Sequence, residues 1–299
     1  MTALSVHDLV RSYGDVEAVR GVSFEIEAGE LHGLVGPDGA GKTTTIGCLA
    51  GLMYPTHGEV RVLGKDPLGK GSDARESLGL MPQEYSLYGD LTVGENLTFF
   101  GRLFALDKRV YRERVERLLS ITRLAPFTER RADALSGGMY KKLALSCALL
   151  HQPAALLLDE PTNGVDPVSR RELWELIFDF VSDGMAVLVC TPTMDEAARC
   201  HRVSLMNEGT IIAQGAPGEL TDALEFPVCE VKGGDREALH TILSERAEVV
   251  AASPAGARLR VVVRPGGLET LAGAIAQVGA SLETVPPDFE DLFLARIAS

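Results

Sequence analysis

Long apolar runs are missing from this chain. No stretch approaches the roughly 18 to 20 residues needed to cross a bilayer, so no membrane-spanning helix is expected. The opening residues, MTALSVHDLV, lack a basic segment followed by an apolar one, and no signal peptide is expected. Positive charge is in deficit: 29 Lys and Arg against 42 Asp and Glu leave a formal charge of −13. That argues against nucleic acid as the main partner, because phosphate binding draws on a surplus of Lys and Arg. It also argues against adhesion to an anionic membrane by charge alone; at a membrane, another protein would hold the chain. Cysteine is sparse, and Cys48, Cys147, Cys190, Cys200 and Cys229 form no C-x-x-C pair. Reduced, buried thiols of a cytosolic protein are the expectation. There is no internal repeat and no long heptad array, and 31 Gly and 15 Pro are too few for a low-complexity chain.

What is present is enough apolar material, 45% of 299 residues, for one large domain or for a medium domain plus a small one. Residues 1–222 alternate short β-like runs with helical stretches, the pattern of an α/β domain. The runs 31–35, 155–158 and 186–190 are short and almost wholly apolar, which suits parallel strands covered on both faces. Between about 84 and 136 the pattern turns helical. Asn96, Leu97, Phe99, Phe100, Leu103 and Phe104 are spaced for one helix, and 110–119 suits an amphipathic second one. Residues 223–299 form a smaller α+β unit. The order is a strand at 228–232, a helix at 235–245, strands at 248–252 and 258–264, a helix at 268–278 and a strand at 282–285. That βαββαβ order suggests a ferredoxin-like module.

The chemistry begins at Gly36-Pro37-Asp38-Gly39-Ala40-Gly41-Lys42-Thr43, a G-x-x-x-x-G-K-[ST] loop between an apolar strand and a helical run that opens at Thr44. Glycines let the backbone approach phosphate closely, and the helix N-terminus adds its positive end. Lys42 would neutralise the β- and γ-phosphates, and Thr43 would offer its hydroxyl to Mg²⁺. The spacing is not G-x-G-x-x-G, so a dinucleotide site is not indicated. A second apolar strand, 156–158, runs into Asp159 and Glu160. The carboxyl ends of parallel strands are where such sheets bind ligands. Asp159 suits Mg²⁺, and Glu160 suits polarisation of an attacking water.

Leu135-Ser136-Gly137-Gly138-Met139 lies upstream of Asp159, with Ser136 standing 159 − 136 = 23 positions before the carboxylate. With these motifs in this order, residues 4–220 resemble the nucleotide-binding subunit of an ATP-binding cassette (ABC) transporter. The resemblance implies a P-loop NTPase fold with a mixed sheet core, an antiparallel β portion near the N-terminus and a helical insertion. It implies ATP and Mg²⁺ as ligands. It assigns Tyr13 to adenine stacking, residues 36–44 to Walker A and Gln83 to the Q-loop, as a catalytic, nucleotide- and metal-binding residue. It assigns 135–139 to the signature, 156–160 to Walker B and 163–167, with Asp166, to the D-loop. Ser136, Gly137 and Gly138 would then meet the γ-phosphate of ATP held by a second ABC ATPase subunit, closed head to tail over two nucleotides. The stretch 85–106, with Tyr85, Tyr88, Leu91, Thr92, Val93, Glu95 and Asn96, resembles the surface that grips a membrane permease. The ending 287–294 resembles the C-terminal extension of ABC-2-type exporter ATPases of the daunorubicin-resistance kind. A location on the cytoplasmic face of the membrane, through an ABC-2-type permease, follows from that resemblance.

Three positions depart from the family pattern: Asp38 replaces Asn, Met139 replaces Gln, and Pro192 replaces the His that contacts γ-phosphate and attacking water. Proline has no side-chain polar atom and no N–H. His201, expected on the next helix, is a weak substitute. An asymmetric ATPase pair, with this chain as the slower member, is one expectation. A homodimer that tolerates Pro192 is another, and a non-hydrolytic nucleotide-sensing subunit is a third. A translation-associated ABC protein would carry two cassettes, a chromosome-structural ATPase would carry a coiled coil, and a metabolic P-loop kinase would lack the signature.

Overall fold

A computed structural model describes residues 1–298 except 71, 85 and 257. The chain forms two compact units, Met1–Thr193 with Met206–Ile211, and Met194–Leu205 with Ile212–Ser299. In chain order the first elements are β1 (Thr2–Tyr13), β2 (Val16–Glu27), β3 (Leu31–Val35), α1 (Lys42–Leu49), β4 (His57–Val62) and β5 (Leu78–Met81). Next come α2 (Val93–Leu103), α3 (Lys108–Ile121), α4 (Gly137–Leu149), β6 (Ala155–Asp159), α5 (Pro167–Ser182) and β7 (Ala186–Thr191). They are followed by α6 (Met194–Ala197), β8 (Arg202–Asn207), β9 (Thr210–Gly215) and α7 (Pro217–Asp222). The C-terminal elements are β10 (Val228–Gly233), α8 (Arg236–Ser244), β11 (Val249–Ala255), β12 (Arg258–Val263), α9 (Leu268–Ala276), β13 (Ala280–Thr284) and α10 (Phe289–Ile297).

The main sheet runs β5-β6-β7-β3-β8-β9. β5, β6, β7 and β3 pair in parallel, with Leu31 opposite Val187 and Leu156 opposite Val187 on its other side. Every residue of β3, β6 and β7 is buried, the physical reason those segments read as nearly continuous apolar runs. A separate antiparallel sheet, β2-β1-β4, carries the N-terminal portion. Its β2 alternates buried and exposed residues through Val22, Phe24 and Ile26, as a half-covered strand does.

The expected helical insertion contains α2 and α3. Thr92 caps α2 by accepting the Glu95 N–H, and Glu95 returns a carboxylate to the Thr92 N–H. Asn96 is fully buried, and its amide donates to the carbonyls of Tyr88, Leu91 and Thr92 and accepts the Tyr88 N–H. Val93 is buried as well. The reading of 85–106 as a gripping surface is therefore corrected at Val93 and Asn96, which hold the loop together from inside. Tyr88 and Phe99 are the exposed aromatics of this stretch, and Tyr85 lies outside the described residues.

In the second unit the βαββαβ order expected from residue patterning is the order observed, and the sheet runs β11-β12-β10-β13. Alternation splits its residues between two faces. Val231, Leu259, Val261 and Val263 pack with Leu239, Leu243, Leu271 and Ile275 of α8 and α9. Val228 and Val262 pack on the other face with Ala295 of α10. Asp288 and Asp291 form the capping box of α10, and Asp291, 4% exposed, takes a forked pair of bonds from Arg260 of β12, the shortest 2.6 Å. Removing one member of a buried pair strands the other charge. Arg260→Met is therefore expected to destabilise this unit by about 3 kcal/mol, read as faster hydrogen exchange and earlier urea unfolding in peptides from 223–298. An unchanged midpoint would show that Asp291 needs no counter-charge.

Candidate functional site

The phosphate loop leaves β3 at Gly36, whose N–H donates to the Thr191 carbonyl at 3.3 Å. The loop ends at Gly41, which caps α1 with φ +104°, a backbone state that L side chains avoid. A Cβ at Gly41 would also stand 2.4 Å from the Ala18 carbonyl. The glycine is therefore demanded twice over. Lys42, 5% exposed, donates from Nζ to the Gly36 and Pro37 carbonyls at 2.7 and 2.8 Å, which holds the ammonium across the loop.

Ala18, Asp38, Gly39, Gly41, Lys42, Thr43, Thr44, Gln83 and Glu160 line one cavity of about 350 Å³. The end of β6 meets the loop there. The Thr43 hydroxyl lies beside Asp159, whose carboxyl is pushed up, chiefly by burial and despite that hydroxyl. Asp159 Oδ1 is buried without a hydrogen-bond partner. A hydroxyl beside a carboxylate with an orphaned oxygen fits a hard divalent cation that takes its other ligands from phosphate and water. Thr43 and Asp159 would hold Mg²⁺, which would supply charge neutralisation to bound phosphates. A cavity of similar size, lined by Leu63, Leu118, Leu149 and Phe180 with Arg114 and Arg117, holds neither the loop nor the carboxylates. Chemistry rather than volume marks the candidate site.

Glu160 is 6% exposed and sits at φ +47°, uncommon for a residue with a Cβ. Its N–H donates to the Cys190 carbonyl at 2.9 Å. Its Oε2 accepts the Gln83 amide and the Asn163 amide, each at 2.9 Å. Gln83 thus meets Glu160 across 77 positions of sequence. Asn163 is not among the expected site residues; its spacing of three residues from Glu160 is the signal that it could reach back. Lys141 of α4 is a second residue without a sequence signal. Its ammonium donates to the Gln83 and Glu160 carbonyls at 3.1 and 3.3 Å, and burial lowers its pKa.

The remaining expected residues lie apart from this cavity's lining. Tyr13 is 47% exposed at the end of β1, with the Arg11 guanidinium 4.6 Å over its ring. Ser136 caps α4 by accepting the Met139 N–H at 3.3 Å. Gly137 and Gly138 open that helix, and a Cβ on Gly138 would meet the Ser169 Cβ at 2.3 Å. Asp166 caps α5 by accepting the N–H groups of Val168 and Ser169. Pro192 is exposed directly after β7. His201 is corrected: α6 ends at Ala197, and His201 lies in the bend before β8, not on a helix.

Residues 19–163 match the family described as ABC transporter. The chain is 40% identical over 284 residues to "Probable multidrug ABC transporter ATP-binding protein YbhF" of Escherichia coli (strain K12), covering 94% of this chain and 49% of that protein. It is 40% identical over 252 residues to "Nod factor export ATP-binding protein I" of Ralstonia nicotianae, covering 84% and 78%. A solved "ATP binding subunit of ABC transporter" superposes with a TM-score of 0.67 at 30% identity, over 74% of this chain and 92% of that one. The chain spans about half the length of the first relatives it matches. A P-loop cassette fold and a phosphate site are what the geometry defines. The chain belongs to the ABC transporter family of ATP-binding proteins.

Proposed function

We propose that this chain is the ATP-binding and ATP-hydrolysing subunit of an exporter, coupling nucleotide-driven closure to a separate membrane permease of ABC-2 type. The carrying observation is the convergence of the Gln83 and Asn163 amides on Glu160, at the cavity that holds Lys42. A carboxylate oriented by two donors beside a phosphate cradle suits activation of water. The relatives named for multidrug and Nod factor export support the exporter assignment. No helix among the described residues is long and apolar enough to cross a membrane, which accords with a peripheral subunit held on the cytoplasmic face by its permease.

In this reading ATP and Mg²⁺ are the ligands. Residues 1–222 are the nucleotide-binding domain, and 223–299 are a ferredoxin-like accessory domain. Ser136, Gly137, Gly138 and Asp166 serve the site of a second ATPase subunit, while Tyr13 stacks on adenine. Pro192 favours a slow site here and a faster one on the partner. The same residue favours a second reading, a nucleotide-sensing subunit without turnover.

Steady-state hydrolysis with Mg-ATP binding measured in parallel, for the chain alone and with permease and partner ATPase, tests these readings. Binding, slow turnover alone and faster turnover in the complex are expected. Failure to bind ATP sinks the proposal. Binding without turnover in the full complex selects the sensing subunit, and transporter-like rates from the homodimer remove the asymmetry.

A further inference from the structure

We propose that Lys141 is a positioning residue that ties the first turns of α4 to the two loops carrying Gln83 and Glu160, so that a shift of α4 moves the site's carboxylate. The relevance to hydrolysis rests on the functional reading above; the tether itself does not. Lys141 lies 141 − 136 = 5 residues after the Ser136 cap, one turn into the helix. Its ammonium reaches the main chain of both loops at once, at 3.1 Å to the Gln83 carbonyl and 3.3 Å to the Glu160 carbonyl. These contacts cross 58 and 19 positions of sequence. A bond from an ionised donor is roughly twice as strong as a neutral one.

The two loops are the ones whose side chains meet through the bond from Gln83 Nε2 to Glu160 Oε2. The backbone of Glu160 is at φ +47° and needs support from its surroundings. Cys190 supplies it at the N–H, and Lys141 with the Asn163 N–H at the carbonyl. The neighbouring lysine has a different job: Lys142 pairs with Glu172 of α5. One lysine anchors α4 to the helical layer, and the next hands its position to the catalytic loops. Lys141 does not line the cavity, so it acts through Glu160 and Gln83.

Hydrogen exchange on the nucleotide-free full-length chain tests the tether. Lys141→Met is expected to speed exchange about tenfold in 86–91 and 161–165, the scale of one lost charge-assisted bond, with 31–35 unchanged. Lys141→Arg keeps a forked cation and is expected to retain wild-type protection. If Lys141→Met does not fold, Lys141→Gln is read in its place. Wild-type exchange in both segments overturns the proposal, as does a uniform rise across the chain with Lys141→Arg equally affected. In the assembled transporter, kcat is expected to fall with KM for ATP unchanged. An inert wild-type complex would reject the hydrolytic reading alone, since the exchange pattern still decides the tether.

Discussion

Glu160→Gln is expected to lower ATP turnover by about 10²- to 10⁴-fold, the range for removing a positioned general base, while ATP affinity stays within a few-fold of wild type. The substitution is nearly isosteric. The carbonyl oxygen of the introduced amide can still accept from Gln83 or Asn163, which hold Glu160 Oε2 at 2.9 Å in the wild type, so the loop should stay in place. What disappears is the negative charge that would draw a proton from water. Single-turnover hydrolysis beside equilibrium nucleotide binding separates these effects. If turnover survives at the wild-type rate, Glu160 is not the base and the convergent amides serve only to hold the loop. If affinity collapses with turnover, the carboxylate is part of the binding frame instead.

Pro192→His is the second large effect. The expected result is a gain of about 10²- to 10³-fold in turnover, because one positioned polar group at a charge-developing site is typically worth that much. The backbone next to residue 192 is joined to the phosphate loop. Thr191, immediately before it, accepts the N–H of Gly36, the first residue of the phosphate loop. Pro192 is exposed and its ring can donate nothing, so the substitution displaces no packed group. Comparing Pro192→His with wild type in the complex decides between the asymmetric pair and the tolerant homodimer. A gain identifies the wild-type site as the impaired one, whereas unchanged turnover means that Gln83, Asn163 and Glu160 suffice without the imidazole.

The two substitutions also interact. If Glu160 is the base, Pro192→His should gain nothing in a Glu160→Gln background. Residues that act as a unit lose their effects together rather than additively. A gain that survives loss of the carboxylate would point to a route that bypasses Glu160.

Legibility in the sequence followed locality. The phosphate loop could be read because its chemistry is contiguous: eight residues carry the glycine turn, the lysine and the threonine hydroxyl between one strand and one helix. The largely apolar strands β3, β6 and β7 could be read because burial on both faces leaves polar residues little place. The βαββαβ order of the second unit could be read from two periodicities, two residues in strands and 3.6 in helices. His201 falls outside its expected helix because a four-residue helix such as α6 has too few turns to impose a period on the sequence. Val93 and Asn96 could not be told from surface residues, because a buried asparagine that satisfies a loop's backbone has the same letter as an exposed one.

The family, the glycine-rich loop and the two acidic residues at the end of β6 were legible along the chain, since each depends on neighbours in sequence. Which groups meet Glu160 follows from the packing of distant segments. Gln83 approaches it across 77 positions and Lys141 across 19. Those contacts exist because parallel pairing of β5, β6, β7 and β3 brings the carboxyl ends of distant strands to one edge. Sheet order is a property of the packed core, and no local pattern in the chain encodes which loop will face which.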